Sequence, residues 1–455
     1  MRLTISCLLV VCAAGGSDRP VNYVAGPLIE LNDNGAWSWF MDERAIVDDG
    51  KLIVGSVRAV GDYRNDRDPA WGNVEVSVYD LASGIARHTV LHRHLQQDDH
   101  ASPAFLALPD GRYLALYTQH GVERRIYYRL SEPRNPLRWE PVMTFDTPGG
   151  AQPPRGDNVT YSNLFRLASG RIVNFFRGVG LEPNYMYSDD TGRAWHYGGR
   201  LAHGTSGGYT PYLKYAFDGV ATIHFVMTEN HPRNYDNSLY HAFIRDGAIY
   251  LSDGTRRGTL SETTETDLNA WDLTKVFHGG PDNVAWMCDL ELDAAQRPYV
   301  VFTVQKDGRG LPRGQGGFDH RFEYARWDGS AWRVHEIAYA GTRLYAGEDD
   351  YTGLAALDPN NPDVVYISTD ADPVTGTPLV STADGERHHE LFRGTTRDFG
   401  ATWSWEPITA NSTMDNLRPL VPRWKDRRTA LVWMRGSYKN NHGEWTTKVV
   451  ASILP

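Results

Sequence analysis

Apolar residues in this chain come in short runs rich in Val, Ile, Leu, Phe and Tyr, and clusters of Gly, Asp, Asn and Pro separate them. No long stretch carries its apolar positions at helical spacing, so the pattern predicts strands throughout, joined by tight turns. One unit recurs: an apolar strand, a polar turn, a second apolar strand, then a polar residue or loop. It reads MDERAIVDDGKLIVGSVRA from Met41, SPAFLALPDGRYLALYTQHG from Ser102, YSNLFRLASGRIVNFFRGVG from Tyr161 and TPYLKYAFDGVATIHFVMTENH from Thr210. It continues as AWMCDLELDAAQRPYVVFTVQ from Ala285, GLAALDPNNPDVVYISTD from Gly353 and RPLVPRWKDRRTALVWMRG from Arg418.

A spacing of roughly sixty residues leaves room for four strands per unit, and units of that size predict an all-β chain folded as a seven-bladed β-propeller. Segments near Val21–Glu30 and Thr447–Leu454 both read as strands. Pairing them in one blade would close the ring and remove an open edge. A second periodic mark is S/T-x-D-x-G-x-x-W, at Ser188–Trp195 and Thr396–Trp403, with a worn copy at Trp327–Trp332. This is the Asp-box turn of sialidase-like propellers, in which Asp and Gly shape the backbone and Trp packs between blades. It carries no catalytic role.

Composition narrows the reading. With 41% hydrophobic residues in 455, 14 Trp and 24 Tyr, the chain can bury a large core. A net charge of -10 and no basic stripe exclude an ordinary nucleic-acid binder. Met1-Arg2, an apolar run to Ala14 and small residues before Asp18 have the order of a secretory signal. We therefore expect residues 1–20 as signal peptide, 21–455 as one propeller domain, and a secreted monomer without a transmembrane segment. Cys12 as a lipid anchor fits poorly after Val11. Cys7 and Cys12 lie in that signal, so Cys288 alone remains and no internal disulfide is available.

In a propeller the start of each first strand and the end of each second lie on one face. Those positions give Asp42, Arg44 and Arg58 in the first unit, His100 and His120 in the second, and Tyr161 and Arg177 in the third. Tyr212 and His231 follow in the fourth, Trp286 and Gln305 in the fifth, Tyr351 and Asp370 in the sixth, Arg418 and Arg435 in the seventh. His92, His94, His203 and His442 lack that context and read as surface residues. Cationic and neutral donors together suit a substrate carrying a carboxylate. Elimination from a uronic acid needs a group to neutralise the carboxylate, a base for the C5 hydrogen and an acid for the departing O4. Arg177 with His231 or His120 could neutralise, while Tyr161 and His100 could move protons, and a Tyr base would need Arg177 to lower its pKa. A sialidase-like hydrolase would instead cluster Arg44, Arg58, Arg418 and Arg435 around a carboxylate, although inter-blade ion pairs account for those arginines as well. A carbohydrate-binding propeller without catalysis is the third reading.

The stretches NGAWSWFMDERAIV (from Asn34), DDHASPAFLALPDGRYLALYTQHG (from Asp98), TYSNLFRL (from Thr160), NFFRG (from Asn174), PNYMYSDDTGRAW (from Pro183) and ENHPRNYDNSLYHAFIRDG (from Glu229) resemble BNR-repeat propellers that include the ulvan lyases. The resemblance implies cleavage of ulvan, a sulfated rhamnose–uronate polymer, by β-elimination. It implies His100 and Tyr161 as the acid/base pair with His120 assisting, Arg177 and His231 on the uronate carboxylate, and Tyr212 in the same canyon. No cofactor is needed for that chemistry. Relatives with a structural zinc would make Cys288, His278 and His388 candidate ligands, against the plainer reading of Cys288 as a buried, inert thiol.

Overall fold

The structure, a computed structural model, describes residues 19–149, 157–204, 211–260, 268–309, 311–312 and 314–455. The expected signal peptide falls almost wholly outside them. Seven antiparallel blade sheets follow one another along the chain, the first six built from consecutive strands. Blade 1 runs Ala45–Asp48, Lys51–Val57, Val74–Asp80 and Ile85–His92, and blade 3 runs Thr160–Arg166, Ile172–Arg177, Pro183–Ser188 and His196–Arg200. Blades 5 and 6 begin at Val284 and Ala355 and have the same four-stranded order. Blade 2 shares its outer position between Asn135–Trp139 and Met143–Asp146, and blade 4 is enlarged by Arg256–Thr259 and Thr274–Phe277.

Blade 7 closes the ring in the expected way. Its inner strands Asp415–Leu420, Thr429–Gly436 and Lys448–Leu454 are completed by Ile29–Asn32 from the start of the chain, with Ile29 opposite Ala451. The edge that would remain is thereby paired.

Each blade is apolar on both faces because it is sandwiched between two neighbours, which is why its inner strands read as apolar runs with little alternation. Val364–Thr369 and Tyr113–Thr118 are buried along their whole length. The Asp-boxes fasten the outer turns. Asp190 Oδ1 accepts from the backbone N–H of Arg193 (3.1 Å) and Ala194 (2.9 Å), and Ser188 Oγ accepts from Gly192 N–H (2.9 Å). Gly192 sits at φ +86°, where an added Cβ would lie 2.9 Å from Leu114 of blade 2. Trp195 packs edge-on to Tyr128 of blade 2, and Trp403 packs likewise on Tyr324 of blade 5. The worn copy acts in the same way, since Trp332 Nε1 donates to Ser252 of blade 4 at 3.0 Å.

The stretch just before blade 1 is not a simple strand entry. Trp37 O accepts from Arg418 of blade 7, Ser38 N–H donates to Asp99 O beside blade 2, and Trp39 Nε1 donates to Met287 O of blade 5. Phe40 packs on Tyr161, Tyr212 and Trp286, and Asp42 binds Lys214 of blade 4 twice at 2.8 Å. Held by blades 3, 4, 5 and 7 and by the approach to blade 2, this stretch crosses the axis and plugs the central channel.

Candidate active site

The first strands of blades 3 and 7 do not run straight at the axis. Their register shifts between Thr160 and Asn163 and between Leu417 and Leu420, and within those bulges Tyr161 and Arg418 take φ values of +69° and +50°. Such a conformation costs a bulky residue of order 1–3 kcal/mol and persists only when its surroundings enforce it. The bulges turn both side chains toward the plugged channel.

Asp98 is the pivot of the site. It precedes a single 3-10 turn, Asp99–Ala101, and accepts the His100 N–H at that turn's start. Its Oδ1 lies 2.7 Å from His100 Nδ1 and its Oδ2 lies 2.8 Å from His120 Nδ1. The two imidazoles stack with centroids 3.8 Å apart. His442, carried in from blade 7, stands edge-on to both rings with Nε2 3.4 Å from Asp98 Oδ2. Asp99 Oδ1 lies 2.7 Å from the same His100 Nδ1, and Asp99 is itself held by Arg418 and by the Tyr438 hydroxyl at 2.7 Å.

Beside the histidines lies Tyr161, whose ring centroid is 5.4 Å from that of His100. Thr160 faces Arg177 across the blade 3 hairpin, and that rung brings the Arg177 guanidinium 5.0 Å from the Tyr161 ring centroid. Arg177 donates to Tyr212 Oη (3.1 Å) and Thr160 Oγ1 (3.2 Å). Its buried Nε, like Trp286 Nε1, has no acceptor among the described residues. His231 continues the wall, with its ring 5.5 Å from Tyr212 and 4.4 Å from Trp286. Arg233 Nε donates to His231 Nδ1 at 3.1 Å, and Asp350 Oδ2 lies 3.6 Å from the same atom. Arg233 and Asp350 also line a polar cleft of about 660 Å³ that extends past Gln305.

Electrostatics divide these groups. Burial would lower His100, yet Asp98 and Asp99 overrule it and push its pKa up to about 9. His120 has one carboxylate to His100's two; burial and the charge on His100 hold it down to about 4. Tyr161 is raised well above the phenol range by burial, and Tyr212 adds to this while Arg177 opposes it. A Tyr base primed by Arg177 is therefore corrected: desolvation outweighs the guanidinium, and Tyr161 stands as a protonated phenol.

Seven of the rim positions thus meet: His100, His120, Tyr161, Arg177, Tyr212, His231 and Trp286. Tyr351 and Arg418 stand just behind them, against Trp39. Four do not meet. Asp42 lines the opposite mouth with Arg44. Arg58 pairs with Glu75 (2.8 Å) and Asp33 (2.6 Å), and Arg435 donates to Asn416 (3.1 Å). Asp370 instead holds Thr342 and Arg387. His442, read as a surface residue, is part of the site, and the sequence marked neither Asp98, Asp99, Trp39 nor Phe40.

The zinc set does not fit. Cys288 is buried in the apolar core between blades, where burial pushes its thiol up to about 12. His278 lies by Lys275, and His388 is bound by Asp384 (3.1 Å) and Asp415 (3.6 Å). Among the described residues, the groups with metal-like spacing are Asp98, His100, His120 and His442, and His231, Glu348 and Asp350.

The family described as "BNR repeat-containing family member" matches residues 68–340. The chain belongs to this family. No curated protein matches it in sequence. Among solved structures, this BNR-repeat chain is similar to a polysaccharide lyase of family PL25, an ulvan lyase, bound to -[GlcA(1-4)Rha3S]-. The TM-score is 0.63 at 13% identity, over 92% of this chain and 94% of that one. A second structure of a PL25 ulvan lyase gives 0.64 at the same identity and coverage. An α-L-arabinanase of Penicillium chrysogenum complexed with arabinobiose gives 0.42 at 10% identity, over 77% of this chain and 92% of that one. At such identities the likeness shows the fold.

Proposed function

We propose that this chain is a secreted polysaccharide lyase that cleaves an ulvan-type, uronate-containing polymer by β-elimination. The observation that carries the reading is the meeting on one wall of a phenol, a guanidinium and an imidazole pair fixed by a shared carboxylate. Arg177, braced by Tyr212 and Thr160, meets the uronate carboxylate and draws its charge, so that the C5 hydrogen becomes acidic. The neutral His120 takes that hydrogen through Nε2, with the cationic His100 stacked beside it; Asp98 holds both rings by Nδ1 and leaves both Nε2 atoms toward the substrate. As the C5–H electrons form the C4–C5 double bond, the C4–O4 bond breaks, and the Tyr161 hydroxyl protonates O4. Proton return from imidazolium to phenolate resets the site. Acid–base groups of this kind contribute about 10²–10⁴-fold each.

Hydrolysis by a carboxylate pair is less well served, because Asp98 and Asp99 are both committed to cations. The four arginines that a sialidase-like site would gather are dispersed in separate ion pairs and hydrogen bonds.

The test is ultraviolet absorbance during incubation with ulvan, for the wild type and for His100→Ala and Tyr161→Phe. A conjugated unsaturated uronate should accumulate with the wild type, and both variants should lose at least about a hundredfold in rate. A flat trace with new reducing ends would mean hydrolysis. A flat trace without them would reject catalysis on ulvan and leave sugar binding as the function.

A further inference from the structure

Three imidazoles and one carboxylate converge at the canyon wall in a way that general acid–base chemistry does not require. Proton transfer needs one imidazole and something to orient it. Here Asp98 gathers a third ring, and that ring comes from the opposite end of the chain. One donor atom from each of Asp98, His100, His120 and His442 can be chosen so that all four lie within 4.8 Å of one another.

We infer that Asp98, His100, His120 and His442 form a binding site for a divalent transition-metal ion of the Zn²⁺ type, whose occupation silences the imidazole pair as a base. Nitrogen and carboxylate donors, four in number, are the set that Zn²⁺ takes in tetrahedral geometry. With bonds of about 2.0–2.1 Å, tetrahedral ligand atoms sit roughly 3.4 Å apart. From Asp98 Oδ2, His120 Nδ1 at 2.8 Å and His442 Nε2 at 3.4 Å already lie near that edge length, and His100 Nδ1 stands 2.7 Å from the other oxygen of the same carboxylate. Closing the remaining edges needs little more than a shift of His442, which sits on a single 3-10 turn, Asn441–Gly443, with a half-exposed side chain. His100 and His120 are both tied to Asp98 through Nδ1, so these donor atoms are already gathered on one carboxylate.

The charges permit the ion. Asp98 contributes one negative charge to the site, while Asp99 answers Arg418. The Arg177 guanidinium is turned toward Tyr161 and Tyr212. Binding replaces the protons now shared with Asp98, so it releases protons and strengthens as pH rises. With the ion on Nδ1, each neutral ring keeps its remaining proton on Nε2 and can no longer take the C5 hydrogen, so metal binding and elimination exclude each other. The site rests on the donor set alone and stands whether or not the chain acts on ulvan.

The experiment is a Co²⁺ titration of the whole chain, freed of metal by chelation, followed by visible d–d absorption and by protons released. A saturable band of tetrahedral intensity is expected, displaced by Zn²⁺. His442→Ala should weaken it by at least about tenfold, and Asp98→Ala should abolish it. His442→Ala alters an exposed turn, so its far-ultraviolet circular dichroism should match the wild type. His335→Ala, far from the cluster on blade 5, should change nothing. No band, or a band untouched by His442→Ala and Asp98→Ala, overturns the site. So does a band lost on Cys288→Ser, which would assign the ion to the thiol.

Discussion

Arg418 is 1% exposed, Asp99 is equally buried, and the two form an ion pair that joins blade 7 to the approach to blade 2. Arg418 also donates to Trp37 O at 2.6 Å, and its guanidinium stands 4.4 Å from the Tyr438 ring centroid. The pair therefore clamps two blades and the axial plug at one point. At a charge separation of about 3 Å and an effective dielectric of about 20 the attraction is roughly 5 kcal/mol, and most of it offsets the desolvation of both groups. The intact pair is then nearly neutral, while removal of one partner is not. Arg418→Met leaves Asp99 charged and buried, with only Tyr438 and His100 to answer it, and should cost about 3–4 kcal/mol. Asp99→Asn added to that variant removes the stranded charge, so the double variant should regain at least about 1 kcal/mol over the sum of the singles. Urea unfolding followed by tryptophan fluorescence measures all three. A loss below about 1 kcal/mol for Arg418→Met, or strict additivity, would refute the clamp.

The remaining expectations concern the site wall and acid stability. Arg177→Gln should lower kcat on ulvan by about 10²–10³ with a smaller rise in KM, because its charge is needed as the carboxylate gains electron density; Arg177→Lys should restore part of the rate, and a change confined to KM would reduce the residue to simple binding. His224 and His241, buried between blades 4 and 5 with ring nitrogens 3.0 Å apart, are both depressed, His224 to about 4, chiefly by burial. The unfolded chain then takes protons that the folded one refuses, so stability is complete above about pH 6.5 and falls as pH drops toward 4, by roughly 3 kcal/mol for His224 alone. His224→Gln should flatten that limb of a melting-temperature profile, and an unchanged profile would assign acid sensitivity elsewhere.

The ring was legible because its signals are local. A strand–turn–strand unit announces itself through apolar runs and Gly–Asp turns, and the Asp-box adds a turn whose Gly192 and Trp195 are demanded by the neighbouring blade. The Tyr161–Arg177 pairing was legible for a related reason, since a hairpin rung converts sequence distance into contact. What stayed hidden depends on closure. Trp39 and Phe40 fall just before the first repeat unit, outside its pattern, and only the finished ring gives them a channel to plug. Asp98 and Asp99 sit between Gln97 and His100 in a polar run with the composition of a solvated loop, and their burial follows from what blades 1, 2 and 7 bring against them. His442 could not be connected with His100 because more than three hundred residues separate them, and only the last blade's return to the first brings the rings 5.2 Å apart. The zinc reading failed for the opposite reason. It joined residues by type, whereas strand alternation points Cys288 into the core and leaves His278 and His388 at unrelated edges. Position within the repeat was thus the better guide to chemistry than residue type.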